Sequence, residues 1–258
     1  MSAAARGITV LAAFLALLGA ATPAQAKTTA GPDPVVQEWP SWPYPTVCHS
    51  LAFDPVAVFS SPTGVEFGSR PSEVALKREL QEMEGWDYRL VPPNNWRLLA
   101  ETSNRAEFAS GRLLAPGGPS VISVEKKSGV WKMSGLSSGC TPRSIVGEHE
   151  AITWTLAESQ KALKRGTKTI KINLGPGPCA SGRSQNARAM KPVFERMDDR
   201  LLMIMRLRPL PPGGYTCEGI VDPPLKVRLP ESLGNSKLYD GGVYPPTDVA
   251  KLWRETFR

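Results

Sequence analysis

Proline and glycine interrupt this chain so often, at 25 and 23 of its 258 positions, that most regular structure must come in short segments. Between the interruptions lie runs in which apolar and polar residues alternate, the period of a strand with one buried face. The runs 96–101 and 106–112 flank Thr102-Ser103-Asn104, and 120–125 and 130–134 flank Lys126-Lys127-Ser128-Gly129. Each pair is predicted to close as a hairpin, because two such runs joined by a short Gly/Asn/Ser loop meet most easily that way. Further strands are predicted over 151–156, 167–174, 192–197, 201–208 and 225–229, with Met197-Asp198-Asp199-Arg200 as another tight connection.

Three segments depart from this texture. Residues 72–84 predict a helix, with Pro71 in its first turn, Val74, Leu76, Leu80 and Met83 as its apolar positions and Gly85 to stop it. Glu73 and Lys77 stand four apart in the favourable order. Residues 247–257 predict a short capped helix that turns Val249, Leu252, Trp253 and Phe257 inward. Residues 27–47 interleave five prolines with Trp39, Trp42 and Tyr44, which predicts an extended lead-in rather than a helix, lying against the body through its aromatics. The expected fold is mainly β (α+β): an antiparallel β-sandwich or sheets, with one accessory helix in the N-terminal half and a short C-terminal helix. A break near 141–147 divides the chain into a helix-plus-hairpins part, 48–145, and an all-β part, 146–258.

The first 26 residues predict a compartment. Arg6, the apolar run 8–21 and Ala24-Gln25-Ala26 form the charged, apolar and small-residue regions of a secretory signal peptide, with Lys27 as the expected mature N-terminus. Gly19, Thr22 and Pro23 break the run short of the roughly 20 residues a membrane anchor needs, and no later stretch is apolar enough to span. In an exported chain the four cysteines Cys48, Cys140, Cys179 and Cys217 predict two disulfides. Zinc would want ligands paired two to four residues apart. Of the three connectivities, Cys48 with Cys140 and Cys179 with Cys217 keeps each bridge inside one expected part.

From Trp131 onward the chain carries a series of specific runs. These are Trp131-Lys-Met-Ser-Gly135 leading to Cys140-Thr-Pro-Arg143, then Pro178-Cys-Ala-Ser-Gly-Arg183, then 207–219 with Gly213-Gly-Tyr-Thr-Cys-Glu-Gly219, then 228–242 ending in Tyr239-Asp-Gly-Gly242, followed by Val-Tyr-Pro-Pro. In this order they resemble an uncharacterised family of exported proteins from high-GC Gram-positive bacteria, over about residues 131–247. The resemblance implies an exported domain and supplies no activity, ligand or catalytic residue.

Gly135-Leu-Ser137-Ser-Gly139 fits the pattern of a hydrolase nucleophile, which needs a strand, a strained turn and a helix to present the serine. Here the run enters Cys140-Thr141-Pro142, where proline opposes a helix. The two histidines are His49 and His149; His149 lies close downstream, and His49 is expected to be a packed or surface residue. Glu148-His149-Glu150 predicts a solvated loop rather than a metal site, since alternation puts the two carboxylates on a side His149 does not share. No phosphate loop, dinucleotide fingerprint, metalloprotease helix or redox cysteine pair is present, so no cofactor, metal or catalytic residue is expected.

Charge is more informative. The chain carries +7 overall, and residues 161–208 alone hold 12 Lys/Arg against Glu195, Asp198 and Asp199. Alternation puts Leu201, Met203, Met205 and Leu207 on one face of their strand and Arg206 and Arg208 on the other. Likewise Lys226 and Arg228 oppose Leu225, Val227 and Leu229, and Lys171 alternates with Ile170 and Ile172. If these strands share a sheet, Lys171, Arg206, Arg208, Lys226 and Arg228 form one cationic solvent face, able to hold an anionic surface polymer. A solubilising outer face would explain the same alternation. Only Phe194 is aromatic within 161–208, which argues against specific nucleic-acid binding. The expected function is therefore a non-catalytic binding or interaction domain at the cell envelope or outside the cell, its partner an anionic surface polymer or another exported protein. The alternative is an envelope-acting hydrolase using Ser137 or carboxylates that no motif marks.

Overall fold

The computed structural model describes residues 32–61, 69–83, 96–113 and 118–257. The expected leader, 1–26, lies outside them, as does Gly85. Among the described residues the chain is mainly β with four α-helices, and both bridges form as expected, Cys48–Cys140 and Cys179–Cys217.

The lead-in is not wholly extended. A one-turn helix, α1, covers Pro34–Glu38. Proline at the first helical position loses no needed hydrogen bond, and the Asp33 carboxylate caps the turn by accepting from Val35 N at 3.2 Å. Its aromatics do lie against the body: Trp39 is buried and meets Tyr239 edge-on, and Trp42 meets Tyr244. Two short strands follow, β1 (Thr46–Val47) and β2 (Ala52–Phe53), then α2 (Pro55–Ser60), again started by an Asp-Pro pair whose Asp54 accepts from two backbone N–H groups.

Helix α3 (Pro71–Glu82) forms as predicted with one apolar position in error: Leu76 and Met83 are buried and Leu80 packs against the same core, whereas Val74 is exposed. Glu73 does not reach forward to Lys77 but accepts from Arg70 N, closing the first turn. The helix packs on an antiparallel meander of β3 (Trp96–Glu101), β4 (Arg105–Ser110), β5 (Ser120–Lys127) and β6 (Val130–Ser137), which contains both predicted hairpins. Leu76, Trp96, Phe108, Ile122 and Val124 form the core between them.

The run predicted as one strand over 151–156 is two, because the chain changes sheets at Thr153. After β7 (Arg143–Val146), β8 (His149–Ile152) pairs with β7, while β9 (Trp154–Leu156) pairs with β10 (Thr169–Leu174). β11 (Val193–Met197) and β12 (Arg200–Arg206) make the predicted tight hairpin, Met197 opposite Arg200. β13 (Leu225–Arg228), β14 (Lys237–Asp240), β15 (Thr247–Asp248) and α4 (Val249–Phe257) complete the fold.

The described strands form three sheets: the meander, the trio β13-β10-β9, and a large sheet ordered β15-β14-β12-β8-β7-β1-β2 with β11 also on β12. Its pairs are antiparallel except β12 with β14. β1 and β2 bring residues from far before position 145 into a sheet whose other strands start at Arg143 or later, so this sheet crosses the boundary drawn from sequence. β12 is the hub. Leu201, Met203, Met205 and Leu207 face Ile170, Ile172, Val227 and Leu229 of the trio, as the two leaves of a sandwich. Leu202, on its other face, packs with Val35, Phe59, Val121 and Tyr244.

Candidate functional site

The predicted five-cation row rests on strands sharing a sheet, and they do not. Arg206 and Arg208 belong to the chain of β12 in the large sheet; Lys171, Lys226 and Arg228 belong to β10 and β13 in the trio. The side-chain parity is as expected, with Ile170, Ile172 and Val227 buried beneath the trio's cations and Met203, Met205 and Leu207 opposite the two arginines. Since those apolar faces meet each other, the two sets of cations point away from each other on opposite sides of the sandwich.

The arginine pair is engaged by its own fold. Arg206 is half-buried, its guanidinium 3.5 Å from Val146 O and 3.4 Å from Lys191 O, with Nε buried and, among the described residues, without a hydrogen-bond partner. Beside it the Tyr44 hydroxyl donates to Glu195 Oε1 at 2.6 Å. Burial and this carboxylate push the phenol's pKa up, and the Arg206 charge opposes the rise. Arg208 donates to Ala187 O at 2.7 Å, and Arg188 donates back to Arg208 O.

The trio's outward face is different. On the central strand β10, Thr169 stands opposite Arg228, Lys171 opposite Lys226, and Asn173 opposite Thr155 of β9. Thr155, Thr169, Asn173, Lys226 and Arg228 are exposed and Lys171 is half-buried. No carboxylate occupies an outward position on these three strands, and among the described residues none of the three cations forms a salt bridge. Thr155, Thr169 and Asn173 add hydroxyl and amide groups that sequence reasoning passed over; the register of β9 against β10 is what brings them beside the cations.

A second constellation lies at the meander's edge. His49 Nε2 is 2.6 Å from Ser137 Oγ, and its Nδ1 is 3.5 Å from Ser123 Oγ. The histidine that meets Ser137 thus comes from far upstream, not from position 149, and it is not merely packed. Two ties hold it there. Cys48 is bridged to Cys140, and the fully buried Glu107 carboxylate accepts from Ser50 N, Ser50 Oγ and Leu51 N. Arg105 neutralises Glu107 at 3.3 Å. The signal for this pair was in the cysteine pairing, since a Cys48–Cys140 bridge draws residue 49 toward residues 137–139. A nucleophile and base in contact are here, but Nδ1 faces a hydroxyl instead of the carboxylate that would orient the imidazole and stabilise its charge. Ser137 sits on a strand rather than a sharp strand-to-helix turn.

His149 opens β8, and Glu150 pairs with Arg143 at 2.8 Å. Among the described residues no three His, Cys, Asp or Glu side chains gather as a metal site, and no helix is long and apolar enough to cross a membrane. Comparison with protein-family models, with curated proteins and with solved structures returns no match.

Proposed function

We propose that this chain is an exported, non-catalytic binding domain acting at the cell envelope or outside the cell, and that the trio's outward face meets an anionic polymer. The carrying observation is the Lys171–Lys226 cross-strand pair. Like charges placed directly opposite destabilise a sheet by some tenths of a kcal/mol, and a face meant only for solubility mixes both signs. Lysines also protect sheet edges from pairing, which suits Lys226 and Arg228 on the edge strand β13, but Lys171 stands on the central strand β10, which has no open edge to protect. An anion laid across Lys171, Lys226 and Arg228 removes the repulsion, with the arginine fork suited to phosphate or carboxylate. No aromatic side chain stands among the outward positions to stack a base, which disfavours a nucleic acid. The disulfides suit an oxidising compartment, and the motif series that resembles exported proteins supports the same reading.

The test is retention of the mature protein on immobilised polyphosphate. Lys171→Gln with Lys226→Gln and Arg228→Gln is expected to abolish low-salt retention with little change in Tm, since exposed substitutions usually stay within about 0.5 kcal/mol. Arg208→Gln, on the opposite leaf, is expected to be retained like the wild type. Undiminished retention of the triple variant would overturn the assignment.

The 2.6 Å contact of His49 with Ser137 favours a second reading, hydrolysis of envelope material with Ser137 as nucleophile and His49 as base. A fluorophosphonate probe separates the two readings. Labelling of the wild type that is lost in Ser137→Ala would establish the hydrolase, and the binding reading expects no labelling of either.

A further inference from the structure

A cavity of about 180 Å³ opens between the chain that links β9 to β10 and helix α4. Its walls are Leu156, Leu163, Ala250 and Trp253, and the exposed Lys161 and Arg254 also line it. We propose that it binds a small organic carboxylate whose apolar part is about the size of one aromatic ring.

Size and chemistry both point there. An engineered apolar cavity of about 150 Å³ takes up benzene, so this space, open to solvent on one side, is large enough to seat one ring. Trp253 supplies a flat apolar wall, and it is fixed in place: its indole N–H donates to Ala157 O at 3.1 Å. That bond ties α4 to the start of the linking chain, and Asp248, accepting from Ala250 N and Lys251 N, fixes the helix's other end. The site is therefore held open by elements anchored independently of any ligand, which lowers the ordering cost of binding.

The two cations supply the charge preference. Along α4, Lys251 pairs with Glu255 at 3.9 Å, but among the described residues neither Lys161 nor Arg254 meets a carboxylate. Arg254 alone would be accounted for by its place in the last turn of the helix, where a cation complements the dipole. Lys161 is on a different segment and gains nothing from that dipole, yet it lines the same opening. A guanidinium and an ammonium beside an apolar hollow form a receptor for a carboxylate with a ring attached.

The test uses the mature protein and benzoate, with benzamide as its neutral counterpart and acetate as the charge without the ring. The readout is the indole N–H resonance of Trp253, assigned by its loss in Trp253→Phe. Benzoate is expected to shift this resonance saturably, with benzamide and acetate each requiring at least tenfold higher concentration. Lys161→Gln with Arg254→Gln is expected to weaken benzoate at least tenfold while benzamide is unaffected. No shift with benzoate, or equal effects of benzoate and either control, would overturn the proposal. If the double variant does not fold, the comparison of the three probes on the wild-type protein decides alone.

Discussion

Asp240 is a buried carboxylate that, among the described residues, has no cation beside it. Its Oδ1 accepts from Gly242 N at 2.8 Å and its Oδ2 from Trp154 N at 3.0 Å, so one side chain joins the end of β14 to the chain that leaves β8. The two glycines after it are dictated by space. A Cβ at Gly241 would come within 3.0 Å of the Ile204 side chain and 3.1 Å of Leu202, and one at Gly242 within 3.0 Å of Ile152 O. The Asp-Gly-Gly run at 240–242 is thus a joint of the fold. Burial outweighs the two N–H bonds and raises the Asp240 pKa from 3.8 to about 7. With the folded value above the unfolded one, the folded state binds the extra proton between about pH 4 and 7. Its stabilising effect is complete below pH 3.8 and is lost as pH rises toward 7, a change of roughly 4 kcal/mol at most. We expect urea midpoints to fall across that window and Asp240→Asn, which cannot ionise, to flatten the fall. An identical pH profile in the variant would show that Asp240 does not titrate there.

The hairpins were legible because their causes are local: alternation and turn residues lie within a dozen positions of each other, and Ser128 and Asp198 take the positive φ that tight turns demand. The pairs β1–β2, β14–β15 and β12–β14 were not, since two to four residues carry no period and their partners are set by the core. The break at Thr153 was hidden for a related reason: Ile152 and Trp154 are both buried, and alternation does not say that they belong to different sheets. The alternation of the basic residues with buried apolar ones is as read, but the face that Arg206 shares with Leu202 and Ile204 is a second core rather than solvent; parity fixes a face only within one sheet, and the assignment of strands to sheets is a long-range property. Cysteine pairing, in contrast, was legible and carried more information than was drawn from it. The 92-residue separation of Cys48 and Cys140 makes their bridge worth roughly 4.6 kcal/mol in the chain-entropy account. We expect Cys48→Ala with Cys140→Ala to lower stability by about that amount and to free His49 from Ser137. Because His49 and His149 are the only histidines, mass spectrometry after diethylpyrocarbonate treatment can follow each. His49 should react faster in this variant and at the wild-type rate in Cys179→Ala with Cys217→Ala. An unchanged His49 rate in the first variant would mean that Glu107 alone holds the 50–51 backbone in place.

One strand supplies both of the larger cores. On β12, Leu202 is fully buried among Val35, Phe59, Val121 and Tyr244, while Met203, also fully buried, packs with Trp154, Ile170 and Val227. The first cluster draws on chain from both sides of position 145, and the second is the interior of the sandwich formed with the trio. A strand cannot lose one face's packing and keep the other's geometry, because successive side chains hang from the same backbone. The fold is therefore expected to unfold as one unit even though its sequence changes texture near 141–147. Truncating a buried Leu or Met to Ala costs about 2–5 kcal/mol. Leu202→Ala and Met203→Ala should each shift a single denaturation transition by an amount in that range, with far-ultraviolet and near-ultraviolet circular dichroism changing together. If Leu202→Ala instead splits the curve, so that a first transition moves and a second stays at the wild-type midpoint, the two clusters unfold independently. The sheet that joins β1 and β2 to β7 would then be an interface between separate folding units rather than part of a shared core.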